Sequence, residues 1–195
     1  MKLRRHEIVI CICGLSGSGK SSIARRIAAK YGLEYFSGGD ALRKIARKLG
    51  FKPEGVGWWD SKEGFEFTKL RVEDGRFDKM VDEWLLEKAR KGRVVLDSRT
   101  MPWLFDGGFK IWLDASKEVR AMRVAKRDGI SVEEALKIVD ERDKESNRIY
   151  EKLYGFKVGE DLTPFHLIVD TDNLSEEEVL NVICAVIDSM LERGE

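Results

Sequence analysis

Apolar residues along the chain form two kinds of pattern. Short, nearly continuous apolar runs are typical of strands buried on both faces of a parallel sheet. Longer stretches with apolar residues three and four positions apart predict helices; residues 20–30 have such a stripe and end before Gly32, and residues 174–191 close the chain with Ser175 as N-cap. The predicted strands are residues 7–13, 33–37, 93–97, 109–114 and 166–170.

The alternation of strand and helix predicts the fold class. Strands separated by helical segments indicate an α/β protein of three layers, with a five-stranded parallel sheet between two layers of helices. Ligands of such folds bind beyond the carboxyl ends of the strands. Four of the five predicted strands carry a polar residue there, namely Ser37, Asp97, Asp114 and Asp170.

Two segments break this alternation. Residues 51–83 are rich in Gly, Trp and charge, and residues 127–159 are helical and crowded with Lys, Arg and Glu. We interpret both as insertions that lie over the ligand-binding edge of one domain spanning residues 1–195.

Composition and charge narrow the functional classes. The 195 residues include 35 basic and 35 acidic side chains, so the chain has no overall field to hold nucleic acid or a membrane surface. No segment approaches the roughly 20 apolar residues of a membrane span. The three cysteines are interpreted as small buried hydrophobes of a reducing compartment. We therefore expect a cytoplasmic monomer that binds neither nucleic acid nor membrane.

A glycine-rich loop follows the first predicted strand and opens the first predicted helix. Residues 14–21 match G-x-x-x-x-G-K-S, the phosphate-binding loop (P-loop), whose backbone N–H groups surround an anion at a helix N-terminus. Lys20 is expected to reach the β- and γ-phosphates of ATP, and the Ser21 hydroxyl to ligate Mg²⁺. The alternative is a glycine-rich turn with an incidental lysine. The predicted ATP-binding residues are Gly14, Leu15, Ser16, Gly17, Ser18, Gly19, Lys20, Ser21 and Ser22.

A second glycine turn follows the second predicted strand. The segment F-S-G-G-D-A-L-R, residues 36–43, resembles the S-T-G-D-x-L-R segment of adenylate kinase and its relatives, where the arginine binds the acceptor phosphate. A guanidinium suits this role because its planar fork pairs bidentately with phosphate oxygens. The alternative is a capped surface helix with a solvated Arg43. The predicted acceptor-binding residues are Ser37, Gly39, Asp40, Arg43 and Arg99.

The third predicted strand ends in V-V-L-D-S-R, residues 94–99. Asp97 is expected to hold the magnesium shell through water, although an aspartate at a strand end is often only a turn former. Arg99 is expected to face the phosphate or the base of the acceptor.

Motifs in the second half of the chain make the resemblance more specific. Residues 118–136, residues 141–148, Tyr154-Gly155 and residues 169–173 are similar to the lid and the adenine-side loop of the archaeal cytidylate kinases. The resemblance covers most of the chain and implies a P-loop NTPase fold, an acceptor-binding insertion near residues 38–92 and a lid near 127–158. It implies CMP or dCMP as acceptor, with ATP and Mg²⁺. It also implies four lid arginines that close over the transferred phosphoryl group, Arg123, Arg127, Arg142 and Arg148; the alternative is a solvated, salt-bridged helix pair.

The match departs from this family on the acceptor side. Ser98 stands where the family usually has glycine, and G-V-G-W-W, residues 55–59, has no evident counterpart. Hydrophobic packing is the favoured interpretation of Trp58 and Trp59, over stacking on a base. Asp78 and Asp82 resemble acidic positions of the family.

Two other functions are compatible with the sequence. One is a kinase of the same fold with another acceptor, such as AMP, UMP or an alcohol; an alcohol would need a carboxylate base, which Asp40 or Asp97 could supply. The other is a P-loop ATPase that acts as an assembly factor, with slow ATP hydrolysis unchanged by any monophosphate.

Overall fold

The computed structural model describes residues 7–193, which form a five-stranded sheet in the order β2-β3-β1-β4-β5. All four strand pairs are parallel. The predicted five-stranded parallel sheet is thus confirmed, and each strand lies within two residues of its predicted bounds. The strands are β1 Val9–Cys13, β2 Glu34–Ser37, β3 Val94–Asp97, β4 Phe109–Asp114 and β5 Leu167–Asp170.

Helices connect the strands and cover both faces of the sheet. Serine hydroxyls cap several of them, and at Ser175 the predicted cap is a full capping box with Glu178. The helices are α1 Lys20–Tyr31, α2 Gly38–Lys48, a 3₁₀ helix Val56–Asp60, α3 Lys62–Glu73, α4 Arg76–Lys91, α5 Met101–Leu104, α6 Lys117–Asp128, α7 Val132–Tyr154 and α8 Glu176–Glu192. Among residues 7–193 no helix is long and apolar enough to cross a membrane.

The core lies on both faces of the sheet because successive side chains of β1 point to opposite sides. Ile10 and Ile12 pack with α1 and α8 on one face, and Val9 and Cys11 pack with α2 and α4 on the other. Burial of a large aliphatic side chain such as Ile10 contributes about 1.5–3 kcal/mol. The core thus includes one apolar layer on each face of the central sheet.

The two segments that break the alternation meet above the sheet. Residues 38–92 form α2, the 3₁₀ helix, α3 and α4, and the hairpin of α6 and α7 follows β4. Gly57 of the 3₁₀ helix packs so closely on α6 that an added Cβ would lie 2.9 Å from Asp128 Oδ1. Both segments therefore bound one space at the carboxyl edge of the sheet.

Candidate active site

A cavity of about 710 Å³ lies at this edge, between the P-loop, α2, α3, α4 and the α6–α7 hairpin. Most residues predicted for the site form part of its wall. They are Gly17, Ser18, Gly19, Lys20, Ser21, Ser22, Ser37, Gly39, Asp40, Arg43, Asp97, Arg99, Arg123, Arg127 and Arg142. Gly14, Leu15, Ser16 and Arg148 do not line the cavity.

The P-loop has the backbone that its glycines permit. Gly17 and Gly19 have φ of 81° and 88°, values that residues with a side chain rarely adopt. The Lys20 ammonium donates to the carbonyl of Leu15 at 3.2 Å. Burial, with the nearby Arg99 guanidinium, lowers the pKa of Lys20 to about 8. Because the charged form of Lys20 is destabilised, an anionic ligand would be favoured there and would stabilise that charged form.

The loop's Ser21 meets Asp97 at the end of β3. The Ser21 hydroxyl donates to Asp97 Oδ2 at 2.6 Å, and the Tyr35 hydroxyl donates to the same oxygen at 2.9 Å. Mg²⁺ prefers oxygen ligands such as carboxylates and hydroxyls. Ser21 and Asp97 together therefore fit a magnesium ion. Within the described part of the chain no three metal-binding side chains gather at one point. A magnesium ion here would thus be held mainly by nucleotide phosphates and water.

Arg43 occupies the predicted position in the first turns of α2. Ser37 caps this helix by accepting the N–H of Asp40 at 3.2 Å, and Arg43 lies 3.6 Å from the Asp40 carboxylate. The Arg43 guanidinium also donates to the carbonyl of Gly55 and lies 5.9 Å from the ring centroid of Trp59. The start of α2 therefore places Arg43 in the cavity wall, beside Asp40 and Trp59.

Arg99 lies beside the P-loop. It donates to the Ser16 hydroxyl at 2.7 Å and to the Ser146 hydroxyl of α7. Its neighbour Ser98 accepts the N–H groups of Thr100 and Met101 at 3.1 and 3.2 Å. The departure at Ser98 therefore caps the turn that leads into α5.

The four arginines predicted to close over the phosphoryl group occupy three different environments. Arg123 donates to Thr171 Oγ1 at 2.9 Å and to its carbonyl at 2.6 Å, which joins α6 to the loop after β5. Arg127 and Arg142 both bind Asp60. Arg148 has a side chain that is 70% exposed and pairs with a neighbouring glutamate of α7. The structure therefore brings three of the four to the cavity, and the role of Arg148 stays a prediction.

The end of the cavity beyond Arg43 contains a buried polar cluster that the sequence indicated only in part. Asp78 receives two hydrogen bonds from Arg71, at 3.0 and 2.6 Å. Asp82 accepts from the Thr100 hydroxyl at 2.6 Å and from the Tyr154 hydroxyl at 2.7 Å. Burial raises the pKa of Asp82 to about 6, although both hydrogen bonds oppose the rise. This cluster combines a paired carboxylate with one whose pKa burial raises.

Arg71 and Thr100 were not predicted as site residues. Thr100 reaches Asp82 from a different segment of the chain, which no local pattern reveals. Arg71 did leave a signal, since it lies four residues after Phe67 on the apolar face of α3 and both are buried. A charged residue on a buried helix face indicates a charge partner close by.

The two tryptophans divide between packing and the cavity. Trp58 is buried, with its ring centroid 5.8 Å from that of Phe67, as the packing interpretation expects. Trp59 lines the cavity, with the Arg43 and Arg71 guanidiniums 5.9 and 5.7 Å from its ring centroid. Trp59 therefore contacts both the arginine of α2 and the buried polar cluster.

The α6–α7 hairpin is hydrogen-bonded to the P-loop backbone. Asp143 of α7 accepts the N–H of Ser16 at 3.1 Å, and Arg120 of α6 donates to the Ser16 carbonyl at 2.9 Å. Arg120 and Asp143 also pair with each other at 2.7 Å. A Cβ at Gly17 would lie 2.7 Å from the carbonyl oxygen of Arg120, so only glycine permits this approach. The loop is thus held by hydrogen bonds from both helices of the hairpin.

Comparison with known proteins gives one consistent result. The profile of the cytidylate kinase-like family matches residues 9–173. A cytidylate kinase of Pyrococcus horikoshii is 36% identical over 187 residues, which are 95% of this chain and 91% of that protein. The cytidylate kinase of Methanopyrus kandleri is 36% identical over 198 residues, or 96% of each chain. That of Methanocaldococcus jannaschii is 32% identical, over 94% of this chain and 99% of the relative.

Solved structures with lower sequence identity share the fold. A shikimate kinase from Acinetobacter baumannii, in complex with shikimate, has a TM-score of 0.55 at 19% identity and covers 93% of each chain. A gluconokinase from Sinorhizobium meliloti has a TM-score of 0.52 at 18% identity and covers 97% of each chain. The predicted three-layer α/β architecture is therefore one that solved kinase structures share.

Proposed function

Because the chain belongs to the cytidylate kinase-like family, we propose that it transfers the γ-phosphate of ATP to CMP or dCMP and releases ADP with CDP or dCDP. The observation that carries this proposal is one cavity wall that contains both Lys20 of the P-loop and Arg43 of α2. Phosphoryl transfer to a monophosphate needs a cation for the donor's phosphates and another for the acceptor's phosphate, in reach of one another. We assign these two roles to Lys20 and Arg43.

On the donor side, the P-loop N–H groups and Lys20 bind the ATP phosphates. A bound Mg²⁺ would neutralise negative charge on the β- and γ-phosphates. Ser21 is assigned to the metal directly, and Asp97 to its water shell. Arg123 fixes the loop after β5 against α6, which we assign to the adenine side of the nucleotide.

On the acceptor side, the α-phosphate of CMP pairs with Arg43, and the base lies toward Asp82. The exocyclic amine of cytosine can donate a hydrogen bond to the Asp82 carboxylate, whereas uracil has a carbonyl at the same place. A base bound there would lie near Trp59, whose ring is close to both Arg43 and Arg71. Asp82 therefore favours cytosine over uracil.

In the transfer step an oxygen of the CMP phosphate attacks the γ-phosphorus, and the bond from that phosphorus to the β–γ bridging oxygen breaks with ADP as leaving group. The attacking oxygen is already anionic, so no general base is required. Arg127 and Arg142 in the cavity wall stabilise the charge on the transferred group. Residues 127–158, the end of α6 with α7, act as the lid that excludes water from this reaction.

The test is ADP formation from ATP and Mg²⁺ with CMP, dCMP, UMP, AMP, GMP, shikimate or no acceptor. We expect the fastest ADP formation with CMP and dCMP. We also expect Arg43→Ala to raise the KM for CMP by about a hundredfold, with the KM for ATP unchanged. Arg47→Ala is the control, since Arg47 lies one turn further along α2 and outside the cavity wall. Turnover led by another acceptor would move the specificity assignment, and hydrolysis independent of every acceptor would favour the ATPase alternative.

We also propose that the enzyme acts in the cytoplasm as a monomer. All the site residues assigned above come from one chain, and the three cysteines are buried as unpaired thiols, which suits a reducing compartment. Light scattering at assay concentration tests the monomer; a stable dimer mass would contradict it.

A further inference from the structure

Asp60 joins two arginines of the α6–α7 hairpin from a different part of the chain. It is the last residue of the 3₁₀ helix Val56–Asp60, and its side chain is only 5% exposed. Asp60 Oδ1 accepts from Arg142 Nη1 at 2.9 Å, and Oδ2 accepts from Arg127 Nη2 at 2.5 Å. One carboxylate thus uses each of its oxygens for a different guanidinium.

The carboxylate lies behind these guanidiniums as seen from the cavity. Arg127 and Arg142 line the cavity, whereas Asp60 does not. Arg142 uses only Nη1 for hydrogen bonds to the described residues, so its Nη2 and Nε groups remain for a ligand. The arrangement orients two cations toward the cavity without placing a negative charge in it.

Charge explains why such a carboxylate is needed. Burial and the like charges of Arg99 and Arg127 lower the pKa of Arg142, and Asp60 opposes this effect. Without Asp60, two guanidiniums on different helices would repel each other in a partly buried site. Asp60 offsets this repulsion by pairing with both guanidiniums, and Asp128 also pairs with Arg127.

The 3₁₀ helix also links these arginines to the acceptor half of the cavity. Trp59, directly before Asp60, lines that half, and Gly57 packs against Asp128 at the end of α6. The segment for which the sequence offered no counterpart thus connects the acceptor side with the hairpin.

We propose that Asp60 is a positioning residue for phosphoryl transfer, which holds Arg127 and Arg142 in the geometry that stabilises the transferred group. This inference rests on the function proposed above. Asp60 does not line the cavity, so it acts on the reaction only through the two arginines.

The first test is Asp60→Asn, which keeps the shape of the side chain and removes its charge. We expect kcat and kcat/KM to fall together by about 10- to 100-fold, with both KM values within about threefold of wild type, because arginines that act in the transition state would be misplaced. Asp140→Asn is the matched control, since Asp140 pairs with Lys117 and Lys144 on the outer side of the same hairpin. It should keep wild-type kcat.

The second test is the double variant Asp60→Asn/Arg142→Ala. If Asp60 acts through Arg142, the double variant loses at least about fivefold less activity than the product of the two single losses. Losses that multiply fully would overturn the inference, because they would show that Asp60 acts independently of Arg142, as a merely structural residue would. An unchanged kcat of Asp60→Asn would overturn it as well.

Failure of the inference can be distinguished from failure of the proposed function. The variants are measured on whichever acceptor leads with the wild-type enzyme. Wild-type turnover with an insensitive Asp60→Asn rejects only the positioning role, whereas a wild type without acceptor-dependent turnover rejects the proposed function and the inference with it.

Discussion

Ser21 of the P-loop donates a 2.6 Å hydrogen bond to Asp97 at the end of β3. The hydroxyl and the carboxylate assigned to magnesium are therefore in contact although 76 residues separate them in sequence. The contact brings the start of α1 and the end of β3 to one point of the cavity, where the metal-bound phosphates of ATP would lie.

The Asp97 carboxylate should set the magnesium requirement of the enzyme. Asp97→Asn removes the negative charge that attracts the hydrated ion, so we expect at least a tenfold higher Mg²⁺ concentration for half-maximal activity and roughly a tenfold to hundredfold lower kcat. A magnesium titration at fixed ATP measures both. Asp114→Asn, at the exposed end of β4, should leave the titration unchanged. Superimposable curves for Asp97→Asn and wild type would argue against the assignment.

Nucleotide binding should be coupled to proton uptake by Lys20. Its pKa of about 8 means that about half of the free enzyme carries a neutral Lys20 at pH 8, and the phosphates of ATP favour the charged form. We expect uptake of up to about half a proton per nucleotide at pH 8 and almost none at pH 6.5. Calorimetry in buffers of different ionisation enthalpy measures this number. Lys20→Arg, which does not titrate, should abolish the uptake, and equal uptake by both proteins would contradict the prediction.

Asp82 should make the protein less stable as the pH rises from about 4 to about 6. Its pKa is raised from 3.8 to about 6, so the folded state binds more protons than the unfolded state in this window, and the free energy of unfolding falls with pH. The shift corresponds to up to about 3 kcal/mol. Urea unfolding of wild type and Asp82→Asn across this range measures the difference between them. Asp106→Asn, at an exposed position, is the control; a difference independent of pH would exclude the effect.

Arg142 and Arg148 should differ in their importance although both belong to the motif that resembles the lid. Arg142 lines the cavity and Arg148 is largely exposed, so Arg142→Ala should lower kcat by at least about a hundredfold and Arg148→Ala by less than about fivefold. Steady-state kinetics with ATP and CMP compares them. An equally large loss on Arg148→Ala would show that the hairpin turns this side chain inward during turnover.

The sequence predicts those parts of the molecule that depend on neighbouring residues. The five strands and the helix after the P-loop follow from local periodicity, and Gly32 ends that helix in the left-handed conformation, with φ of 61°. The strand order depends on pairings between segments far apart in sequence, which periodicity does not encode.

The site residues also divide into those that local motifs predict and those that only the folded chain shows. Lys20 and Arg43 belong to motifs with fixed spacing and could be predicted. Asp60 could not, because its partners Arg127 and Arg142 are 67 and 82 residues away, and only the folded chain shows that one carboxylate serves both. Its segment carried charge and aromatic residues without a recognisable spacing, which indicated an insertion but no role for it.

The hydrogen bonds of Asp143 and Arg120 to Ser16 also bear on how long a product stays bound. A hairpin attached to the P-loop backbone cannot swing outward until both bonds break. The escape of ADP would therefore begin at the loop that holds its phosphates, because the opening of the hairpin and the loosening of that loop are one event. We therefore expect the residence time of ADP to depend on Arg120 and Asp143, two side chains that do not line the cavity.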